Sequence, residues 1–230
     1  MLEQKKIIAL ALTLVLDVLL IVISVLSLGP TLTAVNNDLL IPQLALYLSP
    51  LAVAPIVLLP TVLVLRWVWP ARIDQKALLF PLRLALAYEF LHGGIEKLTD
   101  TTYLTPPTLI HIGAAGAPSE WVRSVMTMML GNFQFFLLLI AYGELLVGAS
   151  LLLGGFVRLG AIGGALLQLT FMFLLGWLSV STFGLNFIGA MAFLALGMYQ
   201  SGRFLGIDAR LGPYLERSKS SAARLLSRLT

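Results

Sequence analysis

Six apolar runs, each close to the roughly 20 residues a helix needs to cross about 30 Å of hydrocarbon, take up most of this 230-residue chain. They extend from Ile7 to Leu28, Leu46 to Trp69, Leu78 to Leu98, Asn132 to Gly154, Leu159 to Leu178 and Phe183 to Gly202. Backbone polar groups in lipid must be satisfied within their own segment, so such runs dictate helices. The expected fold is all-α, a polytopic membrane bundle of about six transmembrane helices. A chain that is 59% hydrophobic, with mean hydropathy +0.95, carries more apolar surface than a soluble domain of this length can hide. Lys5 and Lys6 before the first run suggest a secretory signal, but the run is too long and lacks a small-residue cleavage site, so it reads as an anchor. Pro50, Pro55 and Pro60 make the second run the least regular.

The distribution of cations sets the expected orientation. With the N-terminus cytoplasmic, Lys5, Lys6, Arg66, Arg72, Lys76, Arg158, Arg203, Arg210 and the basic tail lie inside, and only Lys97 and Arg123 lie outside. That imbalance predicts an N-in, C-in topology. Two longer connections then face outward, Gly29 to Ala45 and Thr99 to Gly131. Within the second, Ser119 to Leu130 reads either as an amphipathic helix on the outer interface, anchored by Trp121, or as a stub of the fourth span. From Pro213 onward, Leu215, Ala222, Leu226 and Leu229 share one helical face among basic residues; this tail either lies along an anionic inner surface or is a solvated basic segment. The chain thus divides into an N-terminal two-span extension (1–77), a four-span core (78–213) and a basic cytoplasmic tail (214–230).

Composition also excludes several functions. The net charge of +4 sits at membrane edges and not on a soluble face, which argues against a nucleic-acid partner. The absence of cysteine removes disulfides, thiolate zinc, cysteine-ligated iron–sulfur clusters and covalent haem. Glu89 and His92 form one Glu-x-x-His motif, whereas a di-iron bundle needs that motif twice with two further carboxylates. The chain has two histidines, His92 and His111, the second apparently in an outer connection, so b-type haem is not expected either.

Depth counting at about 1.5 Å per residue places Asp17, Glu89, Glu144 and Gln168 at roughly 14–16 Å from the inner ends of their spans, in one central layer. An ionised carboxylate there costs about 2.5 kcal/mol or more, so each is expected to face the bundle interior and to pair or take a proton. The layer is either proton-handling machinery or a structural hydrogen-bond cluster; Asp17 is also available to pair with a separate subunit. On the third span Glu89, His92 and Glu96 share one side, and Arg83, Phe90, Gly94 and Lys97 share the other. A helix with both sides occupied is expected to sit centrally. By the same counting Arg83 lies about 8 Å in from the inner boundary and Lys97 near the outer one. Gly93 and Gly94 suggest a close helix approach or a loosened span, and Gly160-x-x-x-Gly164 suggests helix packing.

Arg83, Phe90, Gly94, Lys97 and Leu98 in "RLALAYEFLHGGIEKL", with "GELLVGASLLLGGFVRLGA", the "NF" at Asn186 and "GRFLGIDARLGP", resemble the DoxX/DoxD membrane proteins over roughly Leu78 to Pro213. The resemblance is closest to DoxD, taken as the large membrane subunit of thiosulfate:quinone oxidoreductase. It implies oxidation of two thiosulfates to tetrathionate with two electrons passed to a membrane quinone, a small DoxA-like companion with an outer-facing domain, and a prokaryotic plasma membrane. By matching position it singles out Arg83, Lys97, Glu144, Arg158 and Asp208. The residue chemistry adds Lys97, His111 and Arg123 as donors for a dianion at the outer mouth, with quinone near aromatic side chains such as Phe90. Glu89, His92 and Glu144 are the candidates for passing protons to the reduced ring, and Arg83 and Arg158 are further substrate-binding candidates. Members of this broad family also look like accessory subunits of terminal quinol oxidases, which leaves a non-catalytic respiratory subunit as the alternative. A small anion or proton transporter is a third possibility, against which the sequence shows no clear inverted repeat.

Overall fold

A computed structural model of the chain describes residues 2–34, 41–69, 74–100, 103, 105–106, 108–218 and 220–230. The described residues form ten α-helices with short 3-10 turns. Two long helices come first, α1 (Leu2–Ala34) and α2 (Ile41–Val68). After a 3-10 turn capped by Asp74 come α3 (Phe80–Thr99), α4 (Thr108–Gly116), α5 (Glu120–Gly131) and α6 (Phe133–Leu153). Then follow α7 (Val157–Leu175), α8 (Val180–Met198), α9 (Asp208–Glu216) and α10 (Ser221–Ser227). Residues 35–40 of the connection expected to face outward, with Arg72 and Lys219, lie outside the described residues.

Among the described residues four helices are long and apolar enough to cross a membrane: Lys76–Thr99, Phe133–Leu153, Val157–Leu178 and Val180–Met198. These coincide with the last four expected spans. Helix α2 is continuous through Pro50, Pro55 and Pro60. Asp17 on α1 accepts a hydrogen bond from the Thr61 hydroxyl of α2 at one oxygen, and its other oxygen is buried without a hydrogen-bond partner among the described residues.

The four spans share one core. Ala87 and Phe90 of α3, Val147 and Leu151 of α6, Val157, Ala161 and Ala165 of α7, and Phe193 and Leu196 of α8 are buried together. On α3 the buried positions 83, 87, 90 and 94 recur at helical spacing, which turns this side inward. Large apolar side chains point the other way, such as Leu139 and Leu146 on α6, Leu166 and Phe173 on α7, and Leu185 and Ile188 on α8. Lipid is as apolar as leucine, so helices in it are held by close packing of small residues. Gly94 meets the Ala141 carbonyl and Leu145 across the α3–α6 contact, and Gly148 meets Leu91 in return. Gly160 lies against Ser150 of α6 and Gly164 against the Phe193 ring of α8, so the small-residue motif on α7 packs two neighbours at once.

A second cluster covers one end of this bundle. Ala117, Val122, Met126 and Met129 pack on Leu174 at the end of α7. Helix α5 is thus amphipathic, with Val122, Met126 and Met129 inward and Trp121 exposed. Non-helical backbone at Asn132 (φ −130°, ψ 35°) separates it from α6, so it is a helix in its own right and not a stub of the span. The tail also differs from expectation. Pro213 lies inside α9, which runs from Asp208 to Glu216, and α10 starts separately at Ser221, so Leu215 and Leu226 are not on one helix.

Gly94→Ala should lower stability by about 1–3 kcal/mol, because its Cβ would lie 2.8 Å from the Ala141 carbonyl oxygen, which is backbone and cannot swing aside. Thermal unfolding of the detergent-solubilised chain measures the loss, with Gly116→Ala, in open space, as the neutral control.

Candidate functional site

Helix α3 carries a cation towards each end, and each is consumed differently. The Lys97 side chain, like all helical side chains, leans towards the N-terminus of its helix. Its Nζ lies 3.2 Å from the Gly93 carbonyl oxygen one turn back, and 2.8 Å and 3.1 Å from Oε2 and Oε1 of Glu144 on α6. The ammonium therefore donates to both carboxylate oxygens. Glycine at 93 leaves room for this, since a Cβ there would sit 3.3 Å from Glu144 Oε2 and 3.4 Å from Lys97 Nζ. The lysine side chain is 22% exposed and the glutamate 7%, so the pair is nearly enclosed but reachable from the lysine side.

Depth counting separates these two residues, and the structure joins them. Spans do not end in one plane: Gly94 is level with Ala141 and Leu145, well inside α6, so the end of α3 lies deeper than its own length suggests. The expected central layer is accordingly not a single cluster. Glu144 pairs with Lys97, Asp17 bonds Thr61, and Gln168 lies against Gly189 of α8. Glu89 is exposed and does not face the bundle interior, because the inward side of α3 is the one holding Ala87, Phe90 and Gly94. His92 and Glu96 are half-buried, and the Tyr88 and His92 rings lie 5.6 Å apart between centroids. Glu89 and Glu96 are near enough for their charges to act on Glu144.

Tyr103, in the connection after α3, was not singled out by any sequence pattern. Burial, then the charges of Glu96, Asp100 and Glu144, hold its phenol above the usual tyrosine range, so it stands as a neutral hydroxyl. His111 is exposed on α4, and Arg123 on α5 donates to the Ala117 carbonyl within the capping cluster. Phe90 is in the core, edge-on to Phe193 at 4.7 Å, where no apolar substrate reaches it.

The second cation of α3 ties the opposite end. Arg83 is fully buried; its Nη1 donates to the carbonyls of Ser201 (2.6 Å) and Phe204 (2.9 Å), and its Nη2 to that of Leu205 (3.1 Å). Its guanidinium also lies over the Phe80 ring at 4.9 Å. Gly154, at φ +64°, admits this group, because a Cβ there would meet Arg83 Nη1 and the Gly206 backbone. Beside it Asp208 accepts from the N–H groups of Phe156 (2.7 Å) and Val157 (3.0 Å), capping α7 from a distant part of the chain. Arg158 donates to the carbonyls of Gly197 and Arg228. Thus Arg83, Arg158 and Asp208 form a clamp of backbone bonds away from Lys97 and Glu144. Among the described residues no group of three or more His, Cys, Asp or Glu is placed to hold a metal ion.

Four apolar spans around one core, with a lysine–glutamate pair enclosed between two of them, define a multi-pass helical membrane protein. A family model described as "TQO small subunit DoxD" matches residues 78–228, and the chain belongs to the DoxD family. The match takes in α3 to α10 and places the chain among subunits of thiosulfate:quinone oxidoreductase, TQO. Its description assigns DoxD to the small subunit, which corrects the large-subunit designation drawn from the motifs. No curated protein and no solved structure gives a significant match.

Removing one partner of an enclosed ion pair leaves an uncompensated charge. Lys97→Met should therefore cost about 3–5 kcal/mol, while Lys97→Met combined with Glu144→Gln should recover most of the loss. A double-mutant cycle of unfolding in detergent measures this, and additive losses would show the two side chains to be independent.

Proposed function

We propose that this chain is a membrane subunit of a thiosulfate:quinone oxidoreductase in a prokaryotic plasma membrane. Family membership over residues 78–228 carries the reading, and the Lys97–Glu144 pair gives it a mechanism. In this reading α1 and α2 complete a six-span, N-in, C-in bundle, and a DoxA-like partner covers the outer cap of α4 and α5.

Two thiosulfates lose two electrons in forming the S–S bond of tetrathionate, and a quinone takes those electrons with two protons. Thiosulfate is a dianion and stays at the outer mouth, where Lys97 is the central donor and His111 and Arg123 of the cap are auxiliary ones. An ammonium turned towards the dianion is turned away from Glu144. A buried carboxylate stripped of its cation is accommodated by taking a proton, so anion binding and proton loading of Glu144 are coupled. Quinone is an apolar substrate dissolved in the bilayer and approaches laterally. The side of α3 with exposed Glu89 and half-buried Tyr88 and His92 suits its polar oxygens, and the neighbouring charges of Glu89, Glu96 and Glu144 suit proton delivery. Arg83 and Arg158 have no substrate role in this scheme; they hold the other end of the bundle together.

The complex purified with its partner should reduce quinone only when thiosulfate is supplied. Lys97→Gln should raise the KM for thiosulfate, and Glu144→Gln or Glu89→Gln should lower kcat by about 100-fold or more if each relays protons. Absence of thiosulfate-dependent turnover in preparations with and without the partner, with bound quinone verified, would sink the proposal. Full turnover in a Glu89→Gln, Glu144→Gln double variant would point to a non-catalytic role within a respiratory assembly.

A further inference from the structure

One surface outside the ion-pair region is built for neither water nor the bundle interior. Ile207, Arg210, Leu211 and Tyr214 line a shallow groove along one strip of α9, at the spacing that stacks side chains on a helix. Leu205, just before it, is 71% exposed, and Tyr214 is 74% exposed. These apolar groups are not on a loose end. Leu205 adopts a left-handed backbone (φ +46°), and Arg83, reaching out from α3, binds its carbonyl and that of Phe204. The N–H groups of Ile207 and Asp208 bond the carbonyls of Leu153 and Gly154 at the end of α6, at 3.1 Å and 2.8 Å. The strip is therefore fixed to the end of α6, one of the four helices long and apolar enough to cross a membrane.

The charge around it is positive. Arg203 is neutralised by Glu216, while Arg210, Arg217 and Arg228 are exposed. Helix α10, folded back so that Arg158 holds the Arg228 carbonyl, adds exposed Leu225 and Leu226. An arginine within an apolar strip buries its stem in lipid and offers its guanidinium to a phosphate, and a tyrosine at the strip's end suits the same interface.

We propose that the Leu205 loop and α9 form a headgroup site for an anionic phospholipid of the adjoining leaflet. Leu205, Ile207 and Tyr214 enter the acyl boundary, and Arg210 binds the phosphate. The site does not depend on the thiosulfate chemistry or on which side of the membrane α9 faces.

The chain has no cysteine, so single spin labels can be placed cleanly at Ile207→Cys, Tyr214→Cys and Glu216→Cys in the full protein. In vesicles containing phosphatidylglycerol, labels at 207 and 214 should collide with oxygen and be shielded from a water-soluble nickel chelate, while the label at 216 stays in water. In native mass spectrometry the protein should retain phosphatidylglycerol over phosphatidylcholine. Arg210→Gln should weaken that preference by about five-fold, the loss expected for one basic group at an anionic surface, and Arg210→Lys should largely keep it. Labels at 207 and 214 as nickel-accessible as the label at 216 would overturn the proposal. So would lipid retention without headgroup preference, or a preference that Arg210→Gln leaves intact.

Discussion

A lysine can remain inside a helix bundle in lipid only if something consumes its charge, and here that is Glu144. The requirement fixes the relation of α3 to α6. Glycine at 94 and 148 brings the two backbones close, Gly93 clears space at the same level, and the lysine's own lean towards the helix N-terminus delivers the ammonium to the carboxylate. Hydrophobic burial cannot choose between arrangements when the solvent is itself apolar. Close packing and the pairing of expensive charges choose instead, and both converge on this contact.

The remainder of the core divides into two ends with different tasks. Around Arg83 the partners are backbone groups: three carbonyls on the guanidinium nitrogens Nη1 and Nη2, two N–H groups on Asp208, and left-handed residues at Phe156, Gln200 and Leu205 that only a braced loop would keep. Arg83 Nε and the Ser201 hydroxyl are buried there without a hydrogen-bond partner among the described residues. That end is locked. Around Lys97 the partners are side chains, the lysine is partly open, and Glu89, Glu96 and Tyr103 stand near enough to feel Glu144. Charges that can change partners are concentrated where chemistry is proposed, and charges that cannot are placed where the bundle must hold.

Much of this was legible in the residues. Spans of twenty apolar residues leave no alternative to helices, and the four core spans fall where hydropathy puts them, because that signal is summed over many residues. The separation of α3 into an Arg83–Phe90–Gly94–Lys97 side and a Glu89–His92–Glu96 side follows from helical spacing and survives in the fold. What the residues could not provide was the offset between helices. Counting depth from each span's own end assumes a common plane, and α3 ends deeper than α6, so Lys97 and Glu144 were assigned to different levels when they are partners. Periodicity likewise could not say which side of α3 faces inward, so Glu89 was expected inside and lies outside. Arg83 looked like a substrate donor because nothing local reveals that its acceptors are carbonyls more than a hundred residues away.

The central claim is that thiosulfate binding to Lys97 drives a proton onto Glu144, so that both halves of the pair exchange partners together. Infrared difference spectroscopy of the reconstituted complex, before and after addition of thiosulfate, reads the carboxyl group itself. A protonated-carboxyl carbonyl band that appears with thiosulfate and is lost in Glu144→Gln is the predicted result. A spectrum without such a band, or one in which Glu144→Gln leaves it unchanged, would contradict the account.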